Sequence, residues 1–208
     1  ALDAEDPLSG FRKKFIFPQH NGKDALYFTG NSLGLQPKAA KYALQIELDD
    51  WGEHGVEGHF RARNPWMHYH ELLSKNLADI VGAKPSEVVA MNALTVNLHL
   101  LLVSFYSPKD SRKKIICEAN AFPSDRYALL SQIEFHGGNP ETDLIEIEPR
   151  EGENLILLED VLSAIEEAGD ELKTVMMGGI NYYTGQLHNI EAITNAAHEV
   201  GAFCGFDL

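Results

Sequence analysis

The stretch KKIICEANAFPSDRYALLSQIEFHG, residues 113–137, decides the fold. It opens on KKIICEA (113–119), an apolar run too short for a helix, bounded by polar residues, which reads as a buried strand. It continues as PSDRYALLSQIEFHG, with proline at the start and glycine at the end, the asymmetry of a helix. The alternation extends in both directions. Upstream, EVVAM (87–91) reads as a strand and TVNLHLLLVSF (95–105) as a helix. Downstream, LIEIEP (144–149), TVMMGGI (174–180) and AFCGF (202–206) read as strands. Between them lie the acidic amphipathic helix LEDVLSAIEEAG (158–169) and the helix NIEAITNAAHEVG (189–201), with Asn189 as its N-cap. Strand and helix in strict alternation imply crossover connections, hence an α/β fold with a mostly parallel sheet and helices on both faces. Ligands in such sheets sit beyond the carboxyl ends of the strands.

Before the alternation, residues 1–26 read as a polar, irregular N-terminal arm, and YFTGNSLGLQP (27–37) carries turn residues at Gly30, Asn31, Ser32 and Gly34. Pro37 opens a helix with Leu44, Leu48 and Trp51 on one stripe. Residues 54–65 read as a loop, and a second helix comes next with Tyr69, Leu73, Leu77 and Ile80 on one face and Gly82 at its end. The expected division is an N-terminal arm and first helix over 1–53 and an incomplete large domain over 54–208.

The 208 residues are 44% hydrophobic and 23% charged, ordinary globular composition. Seventeen basic residues against 31 acidic ones give a net charge of −14, which repels nucleic acid and anionic lipid and sets both aside as partners. Cys117 and Cys204 fit no CxxC pattern and read as buried free thiols, suited to a reducing compartment. The N-terminal residues lack the character of a signal peptide, and the longest apolar stretch, 98–106, is too short to span a bilayer. A cytoplasmic setting is expected. His54, His59, His68 and His70 lie close in sequence, but without the spacing of a zinc site, and no metal is expected.

Four strand-end loops carry the candidate chemistry. In MNALT, Thr95 reads as the N-cap of a helix whose free N–H groups and dipole suit an anion, or as a plain cap. In EANAFPSD, Phe122 stands just past a strand end, placed to stack on a flat ligand or to staple its own helix. The loop INYYTGQLHN offers Asn181, Tyr182, Tyr183 and Thr184 as hydrogen-bonding groups. In GFDL, Asp207 is a carboxylate at the end of an apolar strand, where burial without a partner costs several kcal/mol. It is either a cap for the next segment of chain or the partner of a cationic group, such as a protonated cofactor ring nitrogen.

In order and spacing, YFTGNSLGLQP, VVAMNALTVNLHLLL, EANAFPSDRYA, YYTGQLHNIEAIT and GFDL resemble the kynureninases, over roughly residues 27–208. The resemblance implies a pyridoxal 5'-phosphate (PLP) enzyme of the aspartate-aminotransferase fold (fold type I), of which this chain is the N-terminal half. It implies a cytoplasmic homodimeric hydrolase that cleaves the Cβ–Cγ bond of kynurenine, or 3-hydroxykynurenine, to anthranilate (or its hydroxy form) and alanine. Tryptophan catabolism and NAD biosynthesis are the implied setting. Leu94 and Thr95 would lie at the PLP phosphate, and Phe122 on the pyridine ring with Pro123, Ser124 and Asp125 completing that wall. Asp207 would pair with the pyridine nitrogen, and Ser32 and His59 would face the small-molecule substrate.

Two departures stand out. Gly178 occupies a position where some relatives carry serine near the cofactor. The family's Schiff-base lysine lies beyond GFDL, and Lys113, Lys114 and Lys173 lack its context, so no catalytic residue is assigned here. The chain is accordingly expected to be about half of a longer polypeptide. The alternatives are another PLP β-lyase or desulfurase-like enzyme, and a non-catalytic fragment or binding module of the same fold.

Overall fold

The computed structural model describes residues 2–208, which group into two compact units divided between Met91 and Asn92. The division expected at 53/54 is not where the chain separates. Helices on either side of it belong to one unit, because the segment after the first long helix folds back onto that helix.

The first unit holds α1 (Leu2–Glu5), the short hairpin β1 (Gln19–His20) and β2 (Lys23–Asp24), α2 (Ala40–His54), α3 (Gly58–Arg61) and α4 (Glu71–Val81). The hairpin lies within the stretch expected to be an irregular arm. Its turn is Asn21-Gly22, both at positive φ (50° and 73°), the two-residue connection that matches strand twist. Residues 54–65, expected as a loop, contain a 3-10 turn and α3. Two carboxylates of α2 anchor them. Buried Asp50 accepts from Arg63 N at 2.7 Å and Arg63 Nε at 2.8 Å. Glu47 accepts from Asn64 Nδ2 at 2.8 Å and Trp66 Nε1 at 3.1 Å. α4 ends on Gly82 in the left-handed conformation, as expected, but starts after Tyr69. EVVAM is not a strand. Glu87 is drawn into a 3-10 turn by its bond from Lys84 N at 2.9 Å, and residues 88–91 have no ladder partner among the described residues.

The second unit alternates as the sequence predicts, through α5 (Leu94–Phe105), β3 (Lys114–Glu118), α6 (Pro123–Phe135), α7 (Pro140–Asp143), β4 (Leu144–Ile147), α8 (Leu158–Ala168), β5 (Leu172–Gly178), α9 (Ile190–Glu199) and β6 (Phe203–Asp207). The strands form one parallel sheet in the order β4-β3-β5-β6. Strand residues alternate between the sheet's faces. Ile116, Val175 and Met177 therefore pack with Val161 and Ile165 of α8 and Ile193 of α9, while Ile115 and Cys117 pack with Leu98 and Leu102 of α5 and Leu129 and Ile133 of α6. Burial pushes the Cys117 thiol up to about 12, so this cysteine is an inert core residue. Among the described residues no helix is long and apolar enough to cross a membrane.

Polar ties set the strand ends. Arg126 of α6 grips Glu146 of β4 through two bonds of 2.8 Å, fixing the first turn of α6 over the sheet. At the opposite end, Arg112 Nη1 donates to the carbonyls of Leu172 at 2.8 Å and Val200 at 2.9 Å. Ile193 is fully buried between α9 and the sheet. Replacing it by alanine is expected to lower stability by about 2–5 kcal/mol in urea unfolding; a loss under about 1 kcal/mol would contradict this packing.

Candidate functional site

The carboxyl ends of β3, β5 and β6 and the N-terminus of α5 all lie in the second unit, and most of the expected residues come from these positions. After β3 the chain reverses at Asn120 (φ 56°) and reaches Phe122, the N-cap of α6, with Pro123 as the first helical residue. The Phe122 carbonyl accepts from Asp125 N at 2.9 Å and Arg126 N at 3.1 Å, which holds the loop to the helix. The Phe122 ring meets Tyr182 edge-on, with centroids 5.1 Å apart, and the residue is 47% exposed. Its packing partner is thus a loop across the site.

The loop after β5 is stiffer than its composition suggests. Asn181 Oδ1 accepts from the backbone N–H of Tyr183 (3.0 Å) and of Thr184 (2.9 Å) and from the Thr184 hydroxyl (3.1 Å). Gly185 closes the turn at φ 73°. Asn181 and Thr184 use their hydrogen-bonding groups inside the turn, as in a plain polar loop, and Tyr182 and Tyr183 are left exposed.

Thr95 is not the N-cap of α5. The cap is Ala93, Leu94 is the first helical residue, and Thr95 falls within the first turn. The reason is a side-chain brace: Asn97 Oδ1 accepts from Asn92 N and Asn97 Nδ2 donates to Asn92 O, each at 2.9 Å, so Asn92 is folded over the helix start. Ala93 has no side-chain oxygen to cap the helix, and the first-turn N–H groups, including those of Leu94 and Thr95, have no intrahelical acceptor.

Asp207 ends β6 opposite Gly178, and its carbonyl accepts from Gly179 N at 2.6 Å. Its side chain is hydrogen-bonded with that of Asp125, which is buried. Burial first, then the Asp207 charge and the bond to it, push the Asp125 carboxyl up to about 6; Glu118 adds to the rise, and the Ser124 hydroxyl, 3.3 Å from Asp125 Oδ1, opposes it. The resemblance places Asp125 in the Phe122 wall and Asp207 at the ring nitrogen but does not pair them, because residues 82 positions apart meet only through the β3–β5–β6 register.

Two further residues of the site, Glu118 and His188, are not singled out by the sequence pattern. Glu118 is 4% exposed; its Oε1 accepts from Gly178 N at 3.0 Å, and its Oε2 is buried without a partner among the described residues. A charged residue ending an apolar strand was the available signal, the same one that marks Asp207. Gly178 now has a reason: a Cβ there would stand 3.0 Å from Glu118 Oε1. Ser32 and His59 belong to the first unit. Ser32 lies in an exposed turn, and His59 Nδ1 is 2.8 Å from the Val56 carbonyl with its ring edge-on to Trp66.

The parallel sheet with its strand-end site is the fold of the PLP-dependent fold type I enzymes. The cysteine desulfurase of Thermococcus onnurineus NA1 superposes with a TM-score of 0.63 at 20% identity, over 97% of this chain and 45% of that one. The cystine C–S lyase C-DES, solved with cysteine persulfide, superposes with a TM-score of 0.64 at 12% identity, over 88% of this chain and 49% of that one. No protein-family model matches the chain. In sequence it is 56% identical to the kynureninase of Christiangramia forsetii and 58% identical to that of Flavobacterium johnsoniae, in each case over all of this chain and 49% of the relative. The kynureninase of Myxococcus xanthus is 54% identical over the same shares. Over its whole length the chain is thus similar to proteins named kynureninase, and it spans about half the length of the curated relatives it matches.

The Asp125 proton makes a pH prediction. A carboxyl raised from 3.8 to about 6 in the folded state holds its proton more tightly folded than unfolded, so its contribution to stability is present below pH 4 and is lost as pH rises through 6. In cofactor-free protein, Asp125→Asn is expected to gain stability relative to the parent as pH is raised through this window, measured by urea unfolding. A pH-independent difference between the two would contradict the assignment.

Proposed function

We propose that this segment forms the cofactor wall of a PLP-dependent kynureninase, which in its complete form cleaves the Cβ–Cγ bond of kynurenine or 3-hydroxykynurenine by hydrolysis. The observation that carries this reading is the Asp125–Asp207 carboxylate pair at the strand ends. A buried carboxyl pushed up by its own burial and by a neighbouring carboxylate favours a cationic N–H partner, which a protonated pyridine ring would supply. The rest of the donor set fits the same group. The uncapped start of α5 at Leu94 and Thr95 suits a phosphate, worth up to roughly 2 kcal/mol from the helix dipole when partly buried. The half-exposed Phe122 ring suits the flat face of a pyridine, held in orientation by Tyr182. The family's kynureninases and the fold's PLP-bound members, such as a C-DES variant with glycine covalently linked to the PLP cofactor, support it further.

When bound, PLP supplies an electron sink for the reacting substrate carbon. The chain's own part is electrostatic and positional. Asp207 would accept the ring N–H and favour the protonated ring, and Asp125 would hold Asp207 in place from beside it. Pro123 and Ser124 fix the turn that carries Phe122 and Asp125. Ser32 and His59 are proposed to face the substrate in the complete protein. The covalent lysine is proposed to come from outside this chain. Lys109 and Lys113 precede β3, Lys114 is its first residue and Lys173 the second of β5, so all lie toward the amino ends of the strands. Lys113 is paired with Asp143 at 3.0 Å and Lys114 with Glu171. A homodimer in the cytoplasm, acting in tryptophan catabolism and NAD biosynthesis, completes the proposal.

The test uses the full-length protein that carries this chain. PLP is expected to give a visible absorption band, and kynurenine to be converted to fluorescent anthranilate. Asp207→Ala is expected to retain PLP and lose activity by a factor on the order of 10² or more. No band in the parent, or near-parental turnover by Asp207→Ala, would overturn the reading.

A further inference from the structure

We propose that Glu118 is a positioning residue for the carboxylate pair: from the end of β3 it holds the Gly178–Gly179 backbone to which Asp207 is bonded, and it sets a third acidic group near Asp125. The proposal rests on the PLP reading only for its consequence at the cofactor.

Three bonds converge on two glycines. Gly178 N donates to Glu118 Oε1 at 3.0 Å, Gly179 N donates to the Asp207 carbonyl at 2.6 Å, and the Gly179 carbonyl accepts from His188 N at 3.0 Å. Gly178 is also the β5 register partner of Asp207. Glycine backbone without side chains is the most freely moving part of a strand end. Here it is held from one strand by Glu118, from another by Asp207, and from the segment before α9 by His188. Losing the Glu118 contact frees the residues against which Asp207 is aligned.

The electrostatic part comes from the groups around Glu118. The titratable groups near it are Asp125 from α6 and His188 from the segment before α9, with Asp207 of β6 beside Asp125; Cys117, next on its own strand, points to the opposite face. The only basic-capable side chain in this group, His188, is held neutral-leaning by its own burial, which outweighs the pull of Glu118. Glu118 Oε2 and His188 Nε2 are each buried without a hydrogen-bond partner among the described residues. An unpaired oxygen so placed is costly unless it does something for the site. As a further acidic group near Asp125, it resists ionisation of that carboxyl and favours a bound cation over a second carboxylate charge. It is almost closed to solvent and acts on the ligand space through Gly178 and Asp125.

The experiment compares Glu118→Gln and Glu118→Ala in the full-length protein. Glutamine keeps an oxygen for Gly178 N and removes the charge; alanine removes both. In cofactor-free protein with 13C-labelled aspartate, the Asp125 carboxyl resonance is expected to titrate at a lower pH in Glu118→Gln than in the parent. PLP affinity is expected to stay within a few-fold of the parent in Glu118→Gln and to fall by about tenfold or more in Glu118→Ala. An unchanged Asp125 midpoint in Glu118→Gln, or parental PLP affinity in Glu118→Ala, overturns the proposal. If Glu118→Ala does not fold, the Asp125 midpoint in Glu118→Gln decides alone. Failure of the parent to bind PLP would count against the kynureninase reading, while the Asp125 titration would still decide the role of Glu118.

Discussion

Asp125 and Asp207 hold their carboxyl groups against each other at the ends of the sheet, and the second unit is arranged so that they stay there. Asp207 is fixed by β6 pairing with β5 and by its carbonyl on Gly179. Asp125 is fixed by the first turn of α6, which the Phe122 carbonyl and the Arg126–Glu146 pair hold against the sheet. Like charges in a buried place repel, so the pair persists only by keeping a proton or taking a cation. The core that offsets this cost is ordinary: apolar strand residues pointing alternately to the two faces of a parallel sheet, packed under helices on both sides.

That tension is what makes the site chemically directed. The site offers a buried carboxyl raised by its neighbour, a helix start without a side-chain cap and a half-exposed Phe122 ring. Under the proposed function, a flat cationic ring bearing a phosphate would satisfy all three at once. The rigidity of the Asn181 turn serves the same end, since Tyr182 can orient Phe122 only if its own loop does not move.

Much of the second unit was legible in the sequence because its strands and helices differ in period and are marked by proline and glycine at the right ends. The helix over 123–135 and the Asn189 cap appear as expected. The misreadings have physical causes. EVVAM has the composition of a strand, yet a strand needs a partner for its backbone, and composition does not supply one. Thr95 has the chemistry of a cap, but the Asn92–Asn97 brace starts the helix earlier. The Asn21-Gly22 hairpin carries a plain turn signal inside a stretch whose polarity suggests irregular chain. In the site, single residues at strand ends could be named, while the Asp125–Asp207 pairing and the grip of Glu118 on Gly178 depend on strand order, which no local pattern encodes.

The carboxylate pair is proposed to hold a protonated ring nitrogen. The most direct measurement is the 15N NMR shift of PLP labelled at its pyridine nitrogen, bound to the full-length protein at neutral pH. A protonated pyridinium signal in the parent that moves to the unprotonated range in Asp207→Ala is the predicted result. An unprotonated nitrogen in the parent, or a pyridinium signal unchanged by loss of Asp207, would contradict it.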